Sequence, residues 1–144
     1  MSDSLLTSLK NRLTDMRIHH VGYLVRNIDR AKKEFFNLGY EVSQETVYDE
    51  YRDVDICFLE KDGYVVELVS PRSKSSVVYD LMKKIGNSPY HICYSSSSFD
   101  EDVEKLRERN YVTCSEKCSA PALGGRNVCF LVHPFLGMIE IVEE

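Results

Sequence analysis

The run RIHHVGYLV is rich in apolar and β-favouring residues and predicts a strand over residues 17–25. Asn27 is a good N-cap, and Ile28, Ala31, Phe35 and Leu38 then recur at helical spacing until Gly39 stops the helix. Three strands follow, near 40–46, 52–60 and 63–70, with Asp62-Gly63 as the tight turn between the last two. The plan then repeats. A strand over 90–95 leads to a helix from Phe99 to Arg109, opened by Ser98 with Glu101 three residues on, a capping-box pattern. Strands near 111–116, 126–132 and 137–143 complete it. Pro71 to Ser76 reads as a loop and Val77 to Ile85 as a short helix.

The repetition extends to individual residues. At a shift of 71 positions His20-Val21-Gly22-Tyr23 falls on His91-Ile92-Cys93-Tyr94, and Gly39 falls on Asn110, two residue types that accept the left-handed conformation closing a helix. At 72, Cys57-Phe58-Leu59 meets Cys129-Phe130-Leu131, and at 73, Glu67-Leu68-Val69 meets Glu140-Ile141-Val142. The expected organisation is a first module at 17–71, a connecting segment at 72–88 and a second module at 89–144, together forming one domain. Residues 1–16 lie outside the repeat. Leu5, Leu6, Leu9, Leu13 and Met16 sit at helical spacing there and predict an amphipathic N-terminal helix. Its polar face carries both charge signs, which argues against a membrane-surface role.

Alternation separates two faces of each strand. Val54, Ile56 and Phe58 oppose Asp53, Asp55 and Cys57; Val128, Phe130 and Val132 oppose Asn127, Cys129 and Leu131. The apolar rows are expected under the helices and the opposite rows along a cleft. Glu67 in GYVVELVS and Glu140 in GMIEIVEE sit among apolar neighbours, where an ionised carboxylate is costly unless paired or bound to a cation. Each half thus offers one His and one Glu: His20 with Glu67, and His91 with Glu140. Two imidazoles and two carboxylates suit one divalent ion, Co, Ni, Zn or Mn, with Fe(II) also compatible. A lone strand His is more often a hydrogen-bonded core residue; the duplicated pattern is what points to metal. His19 reads as facing away, and His133, before Pro134, as a turn residue.

Composition narrows the classes. A chain of 144 residues suits one domain, and a net charge of −5 argues against gripping nucleic acid through its phosphates. No apolar run reaches the ~18–20 residues of a membrane span, and the opening lacks the order of a secretory signal, so a cytoplasmic location is expected. The five cysteines form no CxxC; even Cys114 and Cys118, four apart, read as free thiols in a reduced compartment.

The stretches IHHVGYLVRNIDRAKKEFFNLGYEV, PYHICY, GGRNVCFLVHP and GMIEIVEE resemble the vicinal oxygen chelate superfamily, which includes glyoxalase I. The likeness is strongest to methylmalonyl-CoA epimerase and bacterial glyoxalase-like proteins, and covers residues 17–144. It implies an α+β fold in which two tandem βαβββ modules form a cupped mixed sheet around one divalent metal. The family's ligands fall on His20, Glu67, His91 and Glu140. In the epimerases two acid/base residues flank the reacting carbon. One corresponds to Glu140, and the other, a Glu in the family, falls on Asp55, one methylene shorter. The glycines of Pro121-Ala122-Leu123-Gly124-Gly125 imply a substrate-bordering loop, with Gly124 and Gly125 allowing close backbone approach. After His133-Pro134 only Phe135-Leu136 precede Gly137, where the epimerase loop is longer and usually carries a Lys and a Ser. Both departures bear on the methylmalonyl substrate, and neither on the metal ligands.

The implied activity is metal-stabilised proton abstraction next to a carbonyl. The leading expectation is an epimerase or isomerase of an acyl thioester. The second is a glyoxalase-I-type lactoylglutathione lyase acting on a hemithioacetal. From another class comes a metal-free, antibiotic-binding protein of the bleomycin-resistance type, against which the full ligand set counts. An extradiol dioxygenase, with its two-His-one-carboxylate iron site, fits less well. Family analogy adds a homodimer, with the N-terminal helix as part of its interface.

Overall fold

The computed structural model describes residues 2–3, 5–6 and 12–144. Strand β1 (Arg17–Leu24) runs into helix α1 (Ile28–Asn37), and strands β2 (Glu41–Asp49), β3 (Val54–Lys61) and β4 (Tyr64–Pro71) follow. After the short helix α2 (Tyr79–Ile85), β5 (Ser88–Ser96) and α3 (Phe99–Glu108) precede β6 (Val112–Thr113), β7 (Cys118–Ala120), β8 (Arg126–His133) and β9 (Gly137–Glu143). This is a mixed α+β fold, an open nine-stranded sheet with three helices among the described residues.

The strand order β2-β3-β4-β1-β5-β9-β8-β6 reads alike from either side of the central β1–β5 seam. That seam is antiparallel, while β1 pairs β4 and β5 pairs β9 in parallel. A parallel neighbour requires a crossover, which α1 and α3 belong to. Local chemistry explains the ends of these elements. Asn27 caps α1 by accepting from the Arg30 amide at 3.0 Å. Gly39 and Asn110 take positive φ beyond α1 and α3, and Asp62 and Gly63 both do so in the β3–β4 turn. Ser98, by contrast, makes no side-chain cap to α3. Ser96 replaces it: its hydroxyl accepts from the Ser98 amide and donates to Asp102 at 2.6 Å.

The two sheet faces are the reverse of the expectation. Cys57 and Leu59 pack with Leu68, Val25 and Ile28 under α1, and Cys129 and Leu131 pack with Phe99, Val103 and Leu106 under α3. Val54, Ile56 and Phe58 turn to the concave side, with Val78 and Met82 of α2 and Ala122 and Leu123. Register gives the reason. Phe58 pairs with Glu67 and Phe130 with Glu140, and directly opposed residues share a face. A cleft that holds the glutamates therefore holds the aromatic row.

The strand expected over 111–116 is reduced to β6 at Val112–Thr113, and a further short strand, β7, follows after residues 114–117; both pair with the outer edge of β8. The helix expected over 1–16 falls largely outside the described residues. Its last residues are not helical: Thr14 and Asp15 form a turn, and Leu13 and Met16 pack against the cluster under α3.

Leu68 and Leu131 are fully buried, one beneath each helix. Either Leu→Ala change should lower stability by about 2–5 kcal/mol in chemical denaturation. Ile18→Ala, at a residue 71% exposed, should stay within about 0.5 kcal/mol.

Candidate metal centre

His20 and His91 lie on the two strands of the central seam, and Glu67 and Glu140 on the strands that flank them in parallel. The sheet thus gathers the four residues from its four middle strands. All are buried, none more than 4% exposed, and a ligand atom from each lies within 4.8 Å of the others. Nε2 of His20 is 3.1 Å from Glu140 Oε1 and 3.5 Å from Glu67 Oε2. Nε2 of His91 is 3.2 Å from Glu140 Oε1 and 3.7 Å from Glu67 Oε1. The two Nε2 atoms face one another at 3.3 Å. Phe58 stands edge-on to His20 and Phe130 edge-on to His91, so equivalent residues of the repeat wall both imidazoles in apolar surface.

This donor set fits a divalent cation. Glu140 Oε1 is buried and makes no aligned hydrogen bond despite its two nitrogen neighbours, and two imidazole nitrogens converge on the same point. His19, His20 and Cys93 form a second grouping of potential ligands. Burial, and then the nearby charges of Glu140 and Glu67, push the Cys93 thiol far up, away from the thiolate a metal needs. The His/Glu quartet is the better site.

Without an ion, the same groups hold a proton. Burial works to lower the pKa of His20, but the charges and contacts of Glu67 and Glu140 outweigh it and raise the value to about 9. Glu140 is the counterpart. Burial works to raise its pKa, and its contacts with His20 and His91, together with their charges, hold it well below the usual carboxylate range.

Sequence reasoning missed Gly22. It pairs with His91 across the seam, and a Cβ there would overlap the His91 ring. The imidazole is also hemmed by Tyr90 and Phe130 and has nowhere to retreat. The signal was present in HVGY, where a glycine interrupts a strand and marks close approach. His19, expected to face away, is instead beside His20, its Nδ1 2.8 Å from the Nδ1 of its neighbour.

The quartet opens on a cavity of about 500 Å³ lined by Glu67 and Glu140 and, more widely, by apolar side chains such as Val54, Ile56, Val69, Leu123 and Met138. Asp55 is not in that lining. It lies on the other face of β3, where Arg72 donates to it at 3.0 and 3.4 Å. A further buried acid of the lining is Asp49, which accepts from the Arg52 amide at 3.1 Å and from Arg52 Nη1 at 2.7 Å. Tyr90 also faces the cavity; burial, then the charges of Glu67 and Glu140, push its phenol far up, so it remains an O–H donor. Gly124 and Gly125 stay outside the lining, exposed, with φ of 68° and 78° and open space where a Cβ would stand. They close the turn after Pro121–Leu123, and it is Ala120, Ala122 and Leu123 that reach the cavity.

Residues 19–130 match the profile of the Glyoxalase/Bleomycin resistance protein/Dioxygenase superfamily. Among solved structures, a hypothetical protein from Bacillus halodurans C-125 is similar with a TM-score of 0.78 and 23% identity, over 90% of this chain and 95% of that one. The methylmalonyl-CoA epimerase of Mycobacterium tuberculosis gives 0.75 and 22%, over 88% of this chain and 86% of its own. A Streptomyces coelicolor methylmalonyl-CoA epimerase variant in complex with 2-nitronate-propionyl-CoA gives 0.73 and 25%, over 89% and 96%. No curated protein matches the sequence.

Because the His20 pKa rises from 6.5 to about 9 on folding, its contribution to stability is complete below pH 6.5 and lost as pH rises through 9. The urea midpoint of the metal-free protein should therefore fall across that window, and the fall should be absent in His20→Asn. Gly22→Ala should cost about 1–3 kcal/mol in the same measurement, the range for overpacking a filled interior.

Proposed function

The chain belongs to the glyoxalase/bleomycin resistance protein/dioxygenase superfamily, and from that premise we propose that it is a divalent-metal-dependent isomerase or epimerase of an acyl thioester, removing a proton next to the carbonyl. The observation that carries the reading is the convergence of His20, Glu67, His91 and Glu140 on one buried point. These four residues would hold the ion, through two imidazole nitrogens and two carboxylates, a set suited to Co, Ni, Zn or Mn. When bound, such an ion supplies Lewis-acid stabilisation of the charge that develops on a carbonyl oxygen as the neighbouring C–H is deprotonated.

The rest is the work of the chain itself. Glu140 borders the cavity and is the carboxylate assigned to carry the proton. The apolar walls exclude water from the reacting carbon and strengthen every charge interaction there. Arg52 is the cation among the lining residues; Asp49 and the Ser119 carbonyl engage its Nη1. It gives an anionic acyl-CoA a counter-charge, in keeping with the epimerase neighbour complexed with methylmalonyl-CoA.

Epimerisation needs a proton delivered to the opposite face of the carbon, and Asp55 is turned away in its pair with Arg72. Asp49 is the acid of the lining that takes its place in this reading. The withdrawal of Asp55 also favours a second reading, a glyoxalase-type isomerisation in which one base, Glu140, takes the proton and returns it.

Protein loaded with Co, Ni, Zn or Mn should incorporate solvent deuterium at the α-carbon of methylmalonyl-CoA, followed by mass spectrometry. Glu140→Gln should lower that rate by about 10²-fold or more. Turnover of the methylglyoxal–glutathione hemithioacetal in its place would select the one-base reading. A wild type that binds none of these ions would overturn both.

A further inference from the structure

The charges around the cavity bear on what kind of acyl group it takes. Four carboxylates, Asp49, Glu67, Glu116 and Glu140, belong to its lining, against one cation, Arg52. Glu67 and Glu140 balance a divalent ion held by the quartet. Arg52 is balanced in turn by Asp49, which is 1% exposed and accepts from Nη1 at 2.7 Å. A local turn holds this pair in place. The Arg52 amide donates back to Asp49 Oδ1 at 3.1 Å, and the Arg52 carbonyl accepts from the Val77 amide at 3.1 Å. Nη1 also donates to the Ser119 carbonyl at 3.2 Å. A guanidinium tied to a buried carboxylate and fastened through its own backbone is not free to follow a ligand. The wall is otherwise mainly apolar, built from side chains such as Val54, Ile56, Val69, Val78, Leu123 and Met138. At about 500 Å³ the cavity has the size of sites that enclose most of a small organic ligand.

We propose that the acyl group accepted by this site is apolar and uncharged, and that Asp49 sets this selectivity by neutralising Arg52. The inference rests on the acyl-thioester reading above and narrows it to one substrate class. A malonyl-type acyl group would bring a second carboxylate against the wall. What Asp49 leaves of the Arg52 charge serves the phosphates of the CoA moiety, so no cation of the lining remains for that carboxylate. Moving a charge from water to an apolar surface without a partner is costly. A hydrocarbon chain in the same place removes apolar surface from water on both sides, which favours binding in proportion to the area buried.

Isobutyryl-CoA and methylmalonyl-CoA form the discriminating pair, since they differ by a methyl group in place of a carboxylate. Their binding to the full chain loaded with Zn(II) is read by titration calorimetry, which requires no turnover. Isobutyryl-CoA should bind about 10-fold or more tightly than methylmalonyl-CoA. Affinity should then rise about 4-fold per added methylene through 2-methylbutyryl-CoA to 2-methylhexanoyl-CoA. Asp49→Asn keeps an acceptor for the Arg52 amide but removes the charge. It should shift the ratio of the two affinities about 10-fold toward methylmalonyl-CoA. The ratio is internal to each protein, so a loss of stability or of turnover does not produce the shift. If that variant does not fold, the wild-type series decides alone. Tighter binding of methylmalonyl-CoA, affinity that does not rise with chain length, or an unchanged ratio in folded Asp49→Asn overturns the inference and leaves the thioester reading standing. A wild type that neither binds any of these thioesters nor exchanges their α-protons removes both.

Discussion

Four ionisable side chains meet at one buried point, and the rest of the molecule is arranged around that cost. A charge taken out of water costs several kcal/mol even after relaxation, and is tolerated only when opposite charge and good geometry compensate it. Here two glutamates and two histidines lie within 4.8 Å, each removed from solvent. The sheet topology makes this possible. Each His strand has its Glu strand as a parallel neighbour, and the two His strands run antiparallel across the seam. Parallel pairing forces a crossover in each half, and the crossover helices α1 and α3 cover the convex face. The concave face is left free for Phe58, Phe130 and the cavity.

The symmetry that builds the site also breaks around it, and the breaks are where chemistry enters. Position 22 is a glycine that admits the His91 ring, while its counterpart in the repeat, Cys93, keeps a side chain behind His20. Behind His20 stands His19, an extra residue in the pairing of β1 with β5, whereas Nδ1 of His91 has no hydrogen-bond partner among the described residues. The outer edge of the first half is the continuous strand β2, ending in the buried Asp49, whereas that of the second half is split into β6 and β7. Asp49 and Arg52 thus give the cavity wall a paired carboxylate and guanidinium on the side of the first half.

The convergence of these four residues was legible in the sequence because the pattern was written twice. A single strand glutamate has many explanations, but Glu67 and Glu140, each preceded at nearly equal distance by a strand histidine, have fewer. What alternation alone does not carry is which face of a strand meets the helices, since both faces of β3 and β8 contain apolar residues. Register would have decided it: with the β3–β4 turn at Asp62-Gly63, Phe58 falls opposite Glu67. The expectation for Asp55 failed by that same step, because a residue one position from Ile56 takes the other face. His19 was illegible for a different reason. A bulge is set by pairing with a strand some seventy residues away, and no local pattern announces it. Gly124 and Gly125 were read as ligand contacts when their φ angles make them turn formers, a role the sequence allowed equally.

Charge balance narrows what this centre is built to hold. With both glutamates ionised and both histidines neutral the quartet carries two negative charges, so a divalent cation gives a neutral centre. Neutrality matters here more than at a surface, because the neighbours are Phe58, Phe130 and an apolar cavity in which an uncompensated charge is poorly screened. A monovalent ion leaves one negative charge over, and a trivalent ion one positive. The proton that His20 holds, its pKa raised to about 9 by Glu67 and Glu140 against the effect of burial, supplies part of the same compensation in the metal-free protein. A divalent ion bound there would compete with that proton for Nε2 of His20, and its affinity would rise as the proton leaves.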